Sequence, residues 1–118
     1  MRNENSSCKY LTLYTNCMYT AIVKLNFTWD EAKNTENIKK HGVSFQEAST
    51  IFANIPCEIF DDPDHSDKEQ RYIAVGFSDK ARALIVVHCE NNQGTLIRII
   101  SARKATKTEK DQVFGGKR

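Results

Sequence analysis

The sequence predicts one α+β domain in which an antiparallel β-meander packs against an N-terminal αα-hairpin, with a further helix at the C-terminus. Helix-capping residues enclose two short helical patterns between residues 30 and 53. Strand patterns joined by short connections begin at Glu69, and a basic helical pattern follows them. Strands that cluster in sequence after clustered helices indicate an α+β fold.

The N-terminal residues differ from the rest of the chain. Residues 1–17 are polar and aperiodic, so we expect a disordered extension before a single domain over 18–114, with 115–118 as a flexible tail. Met18 is followed at once by the strand-like run Tyr19–Trp29. One interpretation is that Met18 is the biological start, which mass spectrometry of the native protein would test.

The two helices are predicted from their ends. Asp30 can cap the first helix, and Gly42 can end it after a basic last turn. Ser44 and Glu47 have the spacing of a capping box, in which each side chain bonds the backbone N–H of the other residue. A second helix from Phe45 to about Ala53 would follow. The tight link between the two helices predicts the αα-hairpin.

The remaining strands follow from alternating apolar residues and turn signals. Cys57–Phe60 reads as a first strand after Pro56. Tyr72–Phe77, Arg82–Cys89 and Thr95–Ser101 are separated by short turns, which favours an antiparallel meander. Ala102 to Gln112 reads as the last helix.

Composition and charge limit the classes of protein. The chain has 118 residues, 40% of them hydrophobic and 27% charged, and no apolar run nears the roughly 20 residues that a membrane-spanning helix needs. We therefore expect a cytoplasmic protein that does not bind membranes. The four cysteines have no zinc-like or redox-like spacing. Residues 71–118 carry six more basic than acidic side chains, which suits a polyanion or an acidic partner, or else neutralises the acidic first half.

Several ordered blocks of residues resemble the BrnT family of bacterial toxins. The resemblance covers about residues 27 to 114. Its blocks are Phe27–Asp30, Asn37–Ala48, Phe60–Asp62, His65–Ser66, Glu69–Arg71, Gly76–Ser78, and Arg98–Thr106 with Glu109. Two positions depart from the family pattern: Phe114 stands where tyrosine is usual, and Ala81 stands before Arg82 where glycine is common.

This resemblance implies a RelE-like fold and a type II toxin that cuts RNA and so blocks translation. It also implies a BrnA-like antitoxin that holds the toxin inactive and binds operator DNA, so that the toxin meets DNA only through the antitoxin. We expect the substrate to be messenger RNA, at or near the ribosome.

Cutting RNA without a metal requires a base for the ribose 2′-OH, cations for the phosphorane, and an acid for the leaving oxygen. No carboxylate cluster has a convincing metal spacing, so we predict a reaction without metal or cofactor. Arginine suits the phosphorane because its planar fork can hold two phosphate oxygens. The predicted catalytic residues are His65, Glu69, Arg71, Arg82 and Arg103.

We expect Arg103 to lie where the chain leaves the sheet, facing Arg82 and Arg71. Additional RNA-binding residues are predicted on the last strands and the last helix. They are His88, Arg98, Lys104 and Lys107. The three-residue spacing of Lys104, Lys107 and Lys110 would form one basic stripe on that helix.

Each candidate also has a structural interpretation. A single arginine is more often structural or antitoxin-binding than catalytic, and Glu69 could form a salt bridge with Arg71 or Arg82. Glu109 could orient Arg103 or be an ordinary surface residue. A second hypothesis is therefore a catalytically inactive binding module that acts with the antitoxin in operon autorepression.

Overall fold

The computed structural model describes residues 10–15, 20–62, 70–91 and 94–115, and the side chains of those from Leu25 onward. The elements are β1 (Tyr10–Thr15), β2 (Thr20–Thr28), α1 (Glu31–His41), α2 (Phe45–Ser49) with a 3₁₀ turn (Thr50–Ala53), β3 (Cys57–Asp61), β4 (Tyr72–Phe77), β5 (Ala83–Asn91), β6 (Leu96–Lys104) and α3 (Lys107–Lys110) with a π-helical turn (Asp111–Gly115).

One sheet organises the molecule, with strand order β1-β2-β6-β5-β4-β3. Strands β3 to β6 pair antiparallel in sequence order, which confirms the predicted meander within an α+β fold. Strand β2 is parallel to β6, with Phe27 opposite Ile97. The chain therefore returns to pair its last strand with an early one.

The αα-hairpin forms at the predicted capping residues. The Asp30 carboxylate accepts a hydrogen bond from the backbone N–H of Ala32 at 2.8 Å, and Gly42 ends α1 with φ 70 and donates to the Ile38 carbonyl. A left-handed φ of this kind is cheap for glycine. The Ser44 hydroxyl accepts from the Glu47 N–H at 3.0 Å, so this half of the predicted capping box is confirmed.

The core lies between the hairpin and one face of the sheet. Its members include Phe27, Phe45, Ile51, Leu84, Val86 and Ile99, all at most 1% exposed. A buried amide joins the two layers: the Asn37 side chain donates to the carbonyls of Val43 at 2.9 Å and Ala102 at 2.7 Å and accepts from the Ala102 N–H. Because buried polar groups are costly unless bonded, this satisfied amide fixes α1 on β6.

Two predicted elements differ in the structure. Tyr10–Thr15 forms β1 against β2 inside the expected disordered extension, as its β-branched and aromatic residues permit. The last helix begins at Lys107 rather than Ala102, because Ala102 continues the ladder opposite Val86. Met18 and residues 116–118 lie outside the described residues.

No helix in the described part of the chain is both long and apolar enough to cross a membrane.

Candidate functional site

The sheet has a face covered by the αα-hairpin and an opposite face, which we call the open face. Side chains alternate between the two faces along each strand. Ala102 faces the hairpin at 2% exposure, so the next residue, Arg103, lies on the open face. Its side chain is 43% exposed, which leaves it accessible to a ligand.

Arg103 is held by a carboxylate of the C-terminal helix. Its Nη1 donates to Glu109 Oε1 at 2.9 Å and its Nη2 to Oε2 at 2.8 Å. Glu109 is itself placed by a capping box with Thr106, whose N–H donates to Oε1 at 2.9 Å. This box was not foreseen, although its spacing in Thr106–Glu109 is the usual signature. The fork is thus fixed in one orientation.

The ion pair also fixes the charge of both groups. Hydrogen bonds from Arg103 and from the Thr106 N–H lower the pKa of Glu109 to about 2. The same contact raises the pKa of Arg103. Glu109 is therefore a carboxylate at neutral pH and has no proton to give, so it orients Arg103 rather than acting as an acid.

Arg98 and Arg71 lie at the other end of the open face. Arg98 pairs with Cys89 across β5 and β6, with Nη2 at 3.7 Å from Sγ. Arg71 precedes β4, and its carbonyl accepts from the Asp62 N–H at 3.0 Å. Continuing the β4–β5 register places Arg71 beside Cys89 on the same face. These two arginines share a face with Arg103 but not its end of the sheet.

Arg82 lies on the hairpin face, where other groups already bind its guanidinium. It forms a bidentate ion pair with Glu47, whose side chain is 4% exposed, and its Nη2 donates to the Gly42 carbonyl at 3.1 Å. The sheet therefore separates Arg82 from Arg103, and the predicted grouping of Arg71, Arg82 and Arg103 around one phosphate is not found.

Glu47 serves Arg82 instead of closing the capping box. Its carboxylate also accepts from the Ser78 hydroxyl at 2.7 Å. The hydrogen bond from Arg82 lowers the pKa of Glu47 in spite of burial. Sequence reasoning missed this network, because the capping-box pattern predicted that the Glu47 carboxylate would accept from the nearby Ser44 N–H. An open pocket of about 300 Å³ beside it is lined by Ser44, Gln46, Glu47, Thr50, Asp79 and Lys80.

His88 is buried, which corrects its prediction as an RNA-binding residue. It has the strand parity of Leu84 and Val86, so its ring points into the core at 0% exposure between Phe52 and Tyr72. Nε2 lies 3.0 Å from Glu90 Oε2, while Nδ1 is buried without a well-formed hydrogen bond. Burial lowers the pKa of His88. An enclosed imidazole cannot reach a nucleic acid.

The predicted basic stripe is not on one helix. Lys104 lies in β6 opposite Leu84, and only Lys107 and Lys110 belong to α3. Lys107 forms an exposed ion pair with Asp111 at 3.0 Å. The three lysines are exposed, but they do not form a continuous helix face.

His65 and Glu69 are the remaining predicted catalytic residues, and both lie outside the described residues. Among the residues that are described, no three His, Cys, Asp or Glu side chains are placed to hold a metal ion. Cys89 is buried at 4% exposure. Burial raises the pKa of Cys57 to about 12, so the Cys57 thiol stays protonated at neutral pH.

Comparison with known proteins gives two findings. Residues 29–109 match the model of a family described as the ribonuclease toxin, BrnT, of a type II toxin–antitoxin system. The fold is similar to the crystal structure of the Brucella abortus ribonuclease toxin, BrnT, with a TM-score of 0.52 and 23% identity over 69% of this chain and 96% of that chain. No curated protein matches the sequence.

Proposed function

Because this chain belongs to the BrnT family of ribonuclease toxins of type II toxin–antitoxin systems, we propose that it is a metal-independent endoribonuclease whose phosphate site lies on the open face. It cleaves messenger RNA, at or near the ribosome, and thereby inhibits translation. The observation that carries the proposal is the accessible Arg103 fork, held by Glu109 on the face of the sheet opposite the hairpin.

The chemistry proposed for Arg103 follows from its geometry. Glu109 and the Lys104 carbonyl engage three of its N–H groups. In the described part of the chain, these contacts leave Nε–H and one N–H of Nη2 for a phosphate oxygen. A fixed guanidinium stabilises the extra negative charge of the phosphorane without reorganising during the reaction. Glu109 is the positioning residue.

Proton transfer is assigned to His65 and Glu69, the sequence candidates for base and acid. A histidine titrates near neutral pH and can exchange a proton with the 2′-OH or the leaving 5′ oxygen. Arg71, Arg98, Lys104 and Lys107 hold the RNA backbone. Arg82 is assigned a structural role, since its fork is occupied by Glu47 on the other face.

The partner proposed is a BrnA-like antitoxin. It neutralises the toxin, and the complex reaches operator DNA through the antitoxin alone. The family description supplies the toxin–antitoxin system, and the excess of basic residues after position 70 suits both RNA and an acidic antitoxin segment.

The test is RNA cleavage by the purified chain in the presence of EDTA. We expect cleavage to continue in EDTA, and Arg103→Ala to reduce its rate by about 10²- to 10³-fold, the usual loss when one transition-state donor is removed. Lys33→Ala is the matched control, because it removes an exposed positive charge from α1. An Arg103→Ala protein that folds and cleaves at the original rate would contradict the proposal.

A catalytically inactive binding module is the second candidate. It is favoured by one observation: both Arg82 and Arg103 already have carboxylate partners. Expression without an antitoxin separates the two. Growth arrest that is lost with Arg103→Ala supports the enzyme, whereas intact antitoxin binding with neither arrest nor cleavage supports the module.

A further inference from the structure

Exposed hydrophobic side chains concentrate in β3 and the residues that lead into it. Ile55 is 87% exposed, and Ile59 and Phe60 are each 46% exposed. Ile38, on α1, is the other large hydrophobic side chain of similar exposure among the described residues. Apolar side chains grouped in this way on one segment commonly mark a contact surface.

Strand β3 also forms one edge of the sheet. It pairs with β4, and no described strand adjoins its outer side. An edge strand presents unpaired N–H and C=O groups, to which another extended chain can bind.

The alternation of hydrogen-bonded and non-bonded residue pairs between β3 and β4 identifies which backbone N–H and C=O groups of β3 point outward. Asp62 and Arg71 continue the β3–β4 register, and the Asp62 N–H donates to the Arg71 carbonyl at 3.0 Å. Hydrogen-bonded and non-bonded pairs alternate in an antiparallel ladder. Phe60 and Glu58 therefore bond β4, whereas Ile59 and Asp61 direct both backbone polar groups outward.

The charge of the strand selects the kind of partner. Glu58 and Asp61 are both exposed. Two copies of this edge brought together would double the carboxylates along one seam, and like charges across a strand pair are destabilising. A segment with apolar residues at alternate positions and Lys or Arg between them complements both the hydrophobic and the acidic side chains.

We propose that the outer edge of β3 binds an extended segment of the antitoxin, which joins the sheet as an additional antiparallel or parallel strand. This inference rests on the proposed function, because the antitoxin is the partner there. The segment bonds the backbone of Ile59 and Asp61, and its apolar side chains pack on Ile59 and Phe60 on the two faces of the sheet. Main-chain bonds of this type give affinity, and the side chains give specificity.

Amide hydrogen exchange of the toxin in complex with its BrnA-like antitoxin tests the backbone contacts. We expect the Ile59 and Asp61 amides to exchange fast in the free chain and at least 10-fold more slowly in the complex. The Glu58 and Phe60 amides should be protected in both states. Complex formation without protection at Ile59 and Asp61 would overturn the edge proposal and leave the antitoxin partnership intact. Failure of the antitoxin to bind at all would overturn both.

A proline substitution tests the same contact by affinity. Ile59→Pro removes an N–H that β4 does not use, which an edge strand tolerates. We expect it to weaken antitoxin binding at least 10-fold more than the control Ile59→Ala, which keeps the N–H, while RNA cleavage stays unchanged. Equal affinities for the two variants would overturn the proposal. Concentration-dependent protection of Ile59 without antitoxin would overturn it in favour of self-association.

Discussion

At the scale of single residues, Arg103 shows how a cation can be made both rigid and accessible. The bidentate contact with Glu109 uses one N–H of Nη1 and one N–H of Nη2. The side chain is 43% exposed, so its remaining N–H groups are accessible. An arginine without such a partner would have to lose rotamer freedom when it met the phosphate. Because the Glu109 carboxylate already restricts the Arg103 side chain, this loss of rotamer freedom occurs on folding and not on binding.

We therefore predict that Glu109→Gln lowers the cleavage rate about 10-fold while RNA affinity changes little. The amide can satisfy only one guanidinium N–H, so Arg103 keeps its charge but loses its fixed orientation. Single-turnover cleavage and binding of an uncleavable RNA analogue separate the two effects. Glu109→Asp should recover part of the rate, and an affinity loss equal to the rate loss would indicate a direct RNA contact instead.

His88 makes a prediction about pH. Burial lowers the pKa of folded His88 below the unfolded value of about 6.5. Between these two pKa values, His88 is mostly protonated in the unfolded chain and mostly neutral in the folded chain. This contribution to stability is complete above about pH 6.5 and is lost as pH falls from there through the folded pKa. We expect the free energy of unfolding to decrease as pH falls from 7 to 5.

Chemical denaturation across that pH range measures the effect. His88→Phe keeps the aromatic contacts with Phe52 and Tyr72 and should flatten the profile. A profile with the same slope in His88→Phe would assign it to other groups.

At the scale of elements, the Glu47–Arg82 pair joins the hairpin to the β4–β5 turn. Arg82 donates to the carboxylate of α2 and to the carbonyl of Gly42 between the helices. Ala81, just before it, has φ 61, a left-handed conformation that glycine adopts more easily. The turn thus contains a strained backbone conformation at Ala81 and places the Arg82 guanidinium against the hairpin.

We predict that Arg82→Ala destabilises the protein by on the order of 3 kcal/mol, because it leaves the carboxylate of Glu47 buried without its cation. The double variant Glu47→Ala with Arg82→Ala should lose less than the two single variants added together. Denaturation midpoints of the four proteins provide the cycle. If Arg82→Ala abolishes cleavage at full stability, Arg82 belongs to the catalytic site after all.

Elements with a local signal were predictable, and those set by distant partners were not. The caps at Asp30 and Gly42 and the meander follow from neighbouring residues. The extension of β6 to Lys104 depends on the ladder with β5, which overrides the helical appearance of its basic residues. The separation of Arg82 from Arg103 follows from strand parity and the position of the hairpin, so the arginine types alone could not show it.

At the scale of the whole molecule, the basic excess after residue 70 predicts salt-dependent RNA binding. We expect log affinity for a single-stranded RNA analogue to fall linearly with log salt, and Arg98→Ala and Arg71→Ala each to reduce the slope by about 0.7. Fluorescence titrations at several salt concentrations measure it. Lys39→Ala, on the exposed side of α1, should leave the slope unchanged, and equal reductions by all three variants would mean that only net charge matters.

The parallel pairing of β2 with β6 has a consequence for synthesis on the ribosome. Phe27 emerges early, yet its partner Ile97 is among the last residues of the domain to leave the exit tunnel. Arg103 and Glu109 emerge later still. A nascent chain therefore cannot close its sheet or assemble the Arg103 site until nearly the whole domain is made. The order of synthesis therefore delays the Arg103–Glu109 pair until the sheet that carries it can form.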